Sequence, residues 1–156
     1  MHIDYILIAR QAGTANAFAP LIKVLQAQGK NILLLAFTDA YKAWQKEGIS
    51  GLELDSWLMA EQLLQSYTHA RVLLTGSSFN ALGDAQFWQW ARKHNIPSVA
   101  FMDHWTNYAE RFSSNIEQGK RFDLLPDQIA VIDQIAAQGL VTLGCPDNKV
   151  IITGHP

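Results

Sequence analysis

IDYILIARQAGTANAFAPLIKVLQAQGKNILLLAF, residues 3–37, is the stretch that decides the fold. Ile3–Ala9 is an apolar run of strand length. Behind it, Phe18, Leu21, Ile22 and Leu25 recur at helical spacing. Pro20 is tolerated in a first helical turn, so the pattern predicts a helix from near Ala17. Gly29 is a good stop. Asn31–Phe37 is then a second strand with no polar alternation, as expected of a strand covered on both faces. Strand, helix and doubly buried strand, joined by short connections, make a βαβ unit. Two strands joined in that way run parallel.

The pattern repeats outward. Asp39 is placed to cap a short helix ending at Gly48. Leu52–Leu54 is a third strand, and Ser56 or Asp55 caps a helix from Trp57 to about Tyr67. Arg71–Leu74 is a fourth strand, broken at Thr75-Gly76-Ser77-Ser78. A helix covers about Leu82 to His94, Ser98–Met102 is a fifth strand and Ile129–Val131 a sixth. A helix near Asp133–Gln138 precedes a last strand, Val150–Ile152. Residues 104–128 lack clean periodicity. Trp88 and Trp90 are two apart and do not share a helix face, so one ring is expected at the surface. The fold class is α/β: a doubly wound, mostly parallel, Rossmann-like sheet with helices on both faces.

The chain of 156 residues, 49% hydrophobic and 17% charged, suits one domain spanning 1–156 with a proper core. A net charge of -2 with no basic block argues against nucleic acid. Cys145 is the single cysteine, which excludes an internal disulfide and makes a thiol zinc site improbable. No leader pattern and no run long enough to span a bilayer is visible. The expectation is a cytoplasmic protein, with peripheral contact to a membrane open through an exposed tryptophan.

Ligands of such sheets bind outside the carboxyl ends of the strands. Three polar segments fall there: Arg10–Asn16, Thr75–Asn80 and the stretch after VAFM, residues 103–111. Asp103 is either a general base or the cap of a turn. His104 is an alternative base, imidazole being the side chain best suited to proton transfer near neutral pH. Neighbours on a strand face opposite ways, so the two pair only if the chain turns there. Trp105 and Tyr108 offer ring faces to a sugar or nucleobase, or pack in the core. Arg111 pairs with Glu110 and solvent, or binds a phosphate with its planar fork. Gly13, Thr14 and Asn16 form a strand-to-helix turn, in which Gly13 serves the backbone angles or the loop faces a ligand. Thr75, Gly76, Ser77 and Ser78 have hydroxyls for a sugar or for capping the next helix.

These segments carry a resemblance. GTANAFAPLIKVLQAQGKNILLLAF (13–37) is similar to the opening of GT-B glycosyltransferases and of the related non-hydrolysing UDP-N-acetylglucosamine 2-epimerases. RVLLTGSSFNALGDAQFWQWARKHNIPSVAFMDHW (71–105) resembles their approach to the fifth strand through Ala91 and Ile96-Pro97. LPDQIAVIDQIAAQGLVTLGCPDNKVIITGHP (125–156) resembles the end of their first domain. The resemblance implies an N-terminal half, with a second, nucleotide-binding domain starting just after Gly154-His155-Pro156 and absent from this chain. His155 then sits at the hinge of the cleft. It implies no cofactor and no metal, a nucleotide-sugar being the substrate. The epimerases carry an acid in the fourth-strand loop, where this chain has Thr75-Gly76-Ser77-Ser78. Asp103 matches an acid of the next loop.

The expected function is therefore the acceptor-side domain of a GT-B-type glycosyltransferase in glycan or envelope polysaccharide biosynthesis. Asp103 or His104 would be the base. Loops 13–16 and 75–78, with Trp105, Tyr108, Arg111 and His155, would hold substrate. The alternatives are half of a sugar-nucleotide 2-epimerase, or a non-catalytic subunit that recruits a nucleotide-binding partner chain. Expected partners are a sugar acceptor, a companion nucleotide-binding domain or chain, and a second copy of the chain.

Overall fold

The computed structural model describes residues 2–156. Seven strands and five helices alternate: β1 (Tyr5–Ala9), α1 (Ala12–Ala27), β2 (Ile32–Phe37), α2 (Thr38–Lys46), β3 (Leu52–Leu54), α3 (Trp57–Leu64), β4 (Val72–Thr75), α4 (Ala81–Lys93), β5 (Ser98–Met102), β6 (Gln128–Val131), α5 (Gln134–Thr142) and β7 (Val150–Ile152). The sheet order is β3-β2-β1-β4-β5-β6-β7, and each neighbouring pair is parallel. Successive strand residues feed two cores. Ile6, Ile8, Leu33, Leu35, Leu73, Ala100 and Ile129 pack with α3, α4 and α5. Leu7, Ala9, Leu34, Ala36, Phe101 and Ala130 pack with α1 and α2 on the other face. Burial on both sides is why β1 and β2 read as unbroken apolar runs.

Three local expectations are corrected. α1 begins at Ala12, not near Ala17, and Pro20 lies inside it. Proline there removes one hydrogen bond, to the carbonyl of Asn16, and Asn16 is exposed, so water can take its place. Burial of Ala15, Ala17, Phe18, Ala19 and Ile22 holds the helix through the interruption. Asp39 does not cap α2 but sits in its first turn, where its charge suits the helix dipole. Trp88 and Trp90 are both buried, because α4 is covered over a wide arc: Trp88 stacks on Phe112 and Trp90 lies against His94. Ser56 caps α3 as read, its Oγ accepting from Met59 N–H at 3.3 Å. No described helix is long and apolar enough to cross a membrane.

Candidate active site

The site lies where the strand order reverses. From β1 the chain moves outward to β2 and β3, then returns to β4 on the other side of β1. In sheets of this kind the crevice that takes ligands lies at that switch point, outside the carboxyl ends of β1 and β4. The loop after β5 borders it.

Asp103 follows β5 directly. The chain turns at that point, and His104 Nδ1 comes to 2.5 Å from Asp103 Oδ1. The carboxylate accepts, so Nδ1 carries the proton, and whenever the ring is neutral its Nε2 is the acceptor. The His104 side chain is 54% exposed and that of Asp103 17% exposed. The pair has its carboxylate sheltered and its imidazole open to a substrate. The two side chains meet because β5 ends at Met102 and the chain turns, so strand alternation no longer separates them.

Gly13 stands in the first turn of α1 beside the second carboxylate oxygen. A Cβ at Gly13 would lie 3.3 Å from Asp103 Oδ2, so glycine here serves close approach. The first N–H groups of α1 have no partners within the helix, and Gln11 supplies no side-chain cap. The positive end of the α1 dipole is thus beside a carboxylate, a favourable placement.

Arg111 fixes the loop from below. It is only 5% exposed, against the sequence expectation of a surface or phosphate-facing group. Nε donates to Thr106 O at 3.1 Å, and the guanidinium also donates to Ser77 O. Burial pushes its pKa down, and the charges of Asp103, Asp84 and Glu110 oppose that shift. Arg111 is a buried strut between the loops after β4 and β5, which leaves it no open side for a phosphate.

The hydroxyls of the β4 loop are likewise turned inward. Thr75 Oγ1 accepts from Trp88 Nε1 at 2.8 Å and donates to Gly76 O at 2.7 Å. Ser77 Oγ donates to Phe101 O at 3.2 Å. The Ser78 N–H donates to Asp84 Oδ2 at 2.8 Å, and its hydroxyl joins the same oxygen. Gly76 leaves room for the Thr14 side chain, so the loop packs down onto α1. These groups were expected to hold a sugar; the structure gives their side chains to the fold.

The remaining candidates separate. Asn16 faces a polar groove of about 480 Å³ between α1 and α2, with Gln11, Asp39 and Lys42, which neither Asp103 nor His104 lines. Tyr108 is half-buried, its ring lying over the bare Cα of Gly139 in α5. Burial, then the Asp133 charge, push its phenol pKa up. Trp105 is exposed, and its Nε1 donates to Asp133 Oδ2 at 2.9 Å. His155 lies past β7 with its ring edge on Phe101, 5.8 Å between centroids. It borders an apolar groove with Phe18, Leu21, Leu74 and Val99.

Two residues of this edge were not singled out from sequence as site residues. Arg10 directly follows β1; its NH1 donates to Ser78 Oγ at 2.8 Å and lies 3.6 Å from Asp84 Oδ2. Its guanidinium covers the Phe37 ring at 5.8 Å and passes over Gly83, where any Cβ would collide with it. Asp84, only 2% exposed, sits at the centre of this network. A signal existed: Asp84 falls between Ala81 and Trp88 on the apolar stripe of α4, where an unpaired acid would be costly. The β4 loop therefore does have a carboxylate beside it, but behind Ser78 rather than in the crevice.

Burial raises the Asp84 pKa above its ordinary 3.8, with Ser78 and Arg10 opposing. The folded protein thus holds this proton more tightly than the unfolded chain. Stability from that source is present below the unfolded value and is lost as pH rises through the folded one. Asp84→Asn removes this dependence. Relative to the parent protein, the variant should gain stability between pH 4 and pH 7 in urea midpoints. An equal difference between the two proteins at both pH values would refute it.

Neither a protein-family model nor a curated protein matches the chain. Solved structures do. MnaA of S. aureus, determined with UDP, superposes with a TM-score of 0.67 at 17% identity, covering 98% of this chain and 44% of its own. The UDP-GlcNAc 2-epimerase of Neisseria meningitidis, bound to UDP-GlcNAc, gives 0.67 at 13% identity, covering 98% and 47%. The fold is that of the matched half of these structures. The chain spans less than half the length of these structures. At this identity the likeness establishes architecture, and the residues of the crevice must supply the chemistry.

Proposed function

We propose that this chain is the acid–base half of a two-domain enzyme acting on a nucleotide sugar, with epimerisation at the sugar ring as its reaction. The observation that carries the reading is the Asp103–His104 contact at the carboxyl end of β5. It places an oriented imidazole, with a free Nε2, beside the crevice of a fold shared with UDP-GlcNAc 2-epimerases. Asp103 orients and neutralises; His104 removes or returns a proton. The nucleotide would be held mainly by a companion domain or chain.

One observation favours glycosyl transfer instead. Epimerisation takes a proton from one face of a carbon and returns one to the other, which calls for two groups. The second carboxylate near the β4 loop, Asp84, is buried behind Ser78. A transfer needs one base, for the acceptor hydroxyl.

The test is to isolate the native assembly containing this chain and incubate it with UDP-N-acetylglucosamine in deuterated water. Deuterium at C2 together with the N-acetylmannosamine epimer supports epimerisation. Movement of the intact sugar to an added acceptor, without C2 exchange, supports transfer. Neither product would sink both readings.

A further inference from the structure

We propose that the indole of Trp105 is the platform for the pyranose ring of the substrate, taking the C–H face of the sugar beside the Asp103–His104 pair. This rests on the functional reading above. Trp44, Trp88 and Trp90 are buried and Trp57 is half-buried, whereas Trp105 is 54% exposed. Its ring is nevertheless held. Nε1–H donates to Asp133 Oδ2 at 2.9 Å, while Asp133 Oδ1 accepts from Ala136 N–H at 2.9 Å at the start of α5. The Trp105 side chain is thereby moored to the neighbouring strand–helix junction and does not fold inward. Asn107, with φ of 56°, sets the backbone turn just beyond.

The mooring also selects the ligand. The one polar atom of the indole is occupied, so it presents an aromatic face and no donor. Such a face takes flat or C–H-rich rings at little entropic cost, because it is already ordered. Asp133 keeps a carboxylate alongside it, which repels a diphosphate. Trp105 is the chain neighbour of His104, and the proposal seats on the indole the ring on which His104 acts. In a nucleotide sugar that ring is the sugar, the base being held off by two phosphates.

Saturation-transfer NMR of the chain with UDP-N-acetylglucosamine, at millimolar concentration, tests the assignment. Sugar-ring protons should be saturated more strongly than uracil protons. Trp105→Ala should weaken that sugar signal about five- to tenfold and Trp105→Phe by less, since the ring face remains. Both variants should keep the parent melting temperature, which separates loss of a platform from loss of the fold. Dominant uracil saturation, a sugar signal that survives Trp105→Ala, or no saturation at all would overturn the platform. His104→Ala distinguishes the two ideas. A sugar signal that persists in His104→Ala but not in Trp105→Ala upholds the platform even if His104 moves no proton. Lost turnover in His104→Ala, with sugar contacts indifferent to Trp105, does the reverse.

Discussion

Exchanging Asp103 for asparagine and His104 for alanine together is expected to lower turnover of the complete enzyme by roughly 10²–10⁴-fold, the usual worth of a positioned proton-transfer group. His104→Ala alone should account for most of that loss. Asp103 acts through the ring it orients, 2.5 Å away, and groups that work as a unit are not additive. Asp103→Asn alone leaves an amide that can still accept from Nδ1, or can flip and donate to it, which presents the wrong tautomer. Its effect should fall on kcat more than on KM. Neither change should unfold the chain, since His104 is half exposed and the carboxylate is not part of a core. The check is kcat and KM with melting temperatures alongside. Undiminished turnover in the double variant at an unchanged melting temperature would remove the pair from the mechanism.

Trp88→Ala should be the most damaging single change to stability, at about 3–5 kcal/mol. Trp88 is fully enclosed, lies 5.7 Å from the Phe112 ring in a stacked arrangement, and donates to Thr75 Oγ1. Removing it empties the core beneath the short turn Glu110–Phe112, which contains the Arg111 strut, and strips the end of β4 of its donor. Domains of this kind are stable by about 5–15 kcal/mol, so a large part of the margin would go. Trp88→Phe separates the contributions. It keeps most of the ring contact and loses the hydrogen bond, for about 1 kcal/mol. Urea midpoints of the two variants measure the difference. Equal losses would mean that packing contributes little here.

The strands were legible because their faces are equivalent. β2 is covered on both sides, so its apolar run has no competing pattern, and β5 was placed at its observed bounds. Features set by long-range contact were not. Whether Pro20 could sit inside α1 depended on the exposure of one carbonyl. The burial of Trp90 depended on how wide an arc of α4 the rest of the fold covers. The loop after β5 was identified from its polar residues, and Asp103 with His104 came together there. The hydroxyls of Thr75, Ser77 and Ser78 looked like ligand groups because local sequence does not reveal Trp88, the Phe101 carbonyl or Asp84 as their partners. The likeness to GT-B proteins was readable in the order of the segments. The architecture is shared with solved UDP-GlcNAc 2-epimerases, the family named in the alternative reading.

The reversal of strand order also sets when the crevice can form. Tyr5 pairs with Ile32 in β2 across 27 positions but with Val72 in β4 across 67 (32 minus 5, and 72 minus 5). Closing the longer loop costs about 0.8 kcal/mol more in chain entropy. The β1–α1–β2 unit should therefore assemble first on refolding and β4 should dock afterwards. Pulse-labelled hydrogen exchange that protects Leu73 before Leu33 would contradict this sequence of events. If it holds, Gly13, Ser77 and Asp103 meet only when the longest loop has closed. Partly folded chains would then contain half a sheet, and the loops after β1, β4 and β5 would come together only in the finished fold.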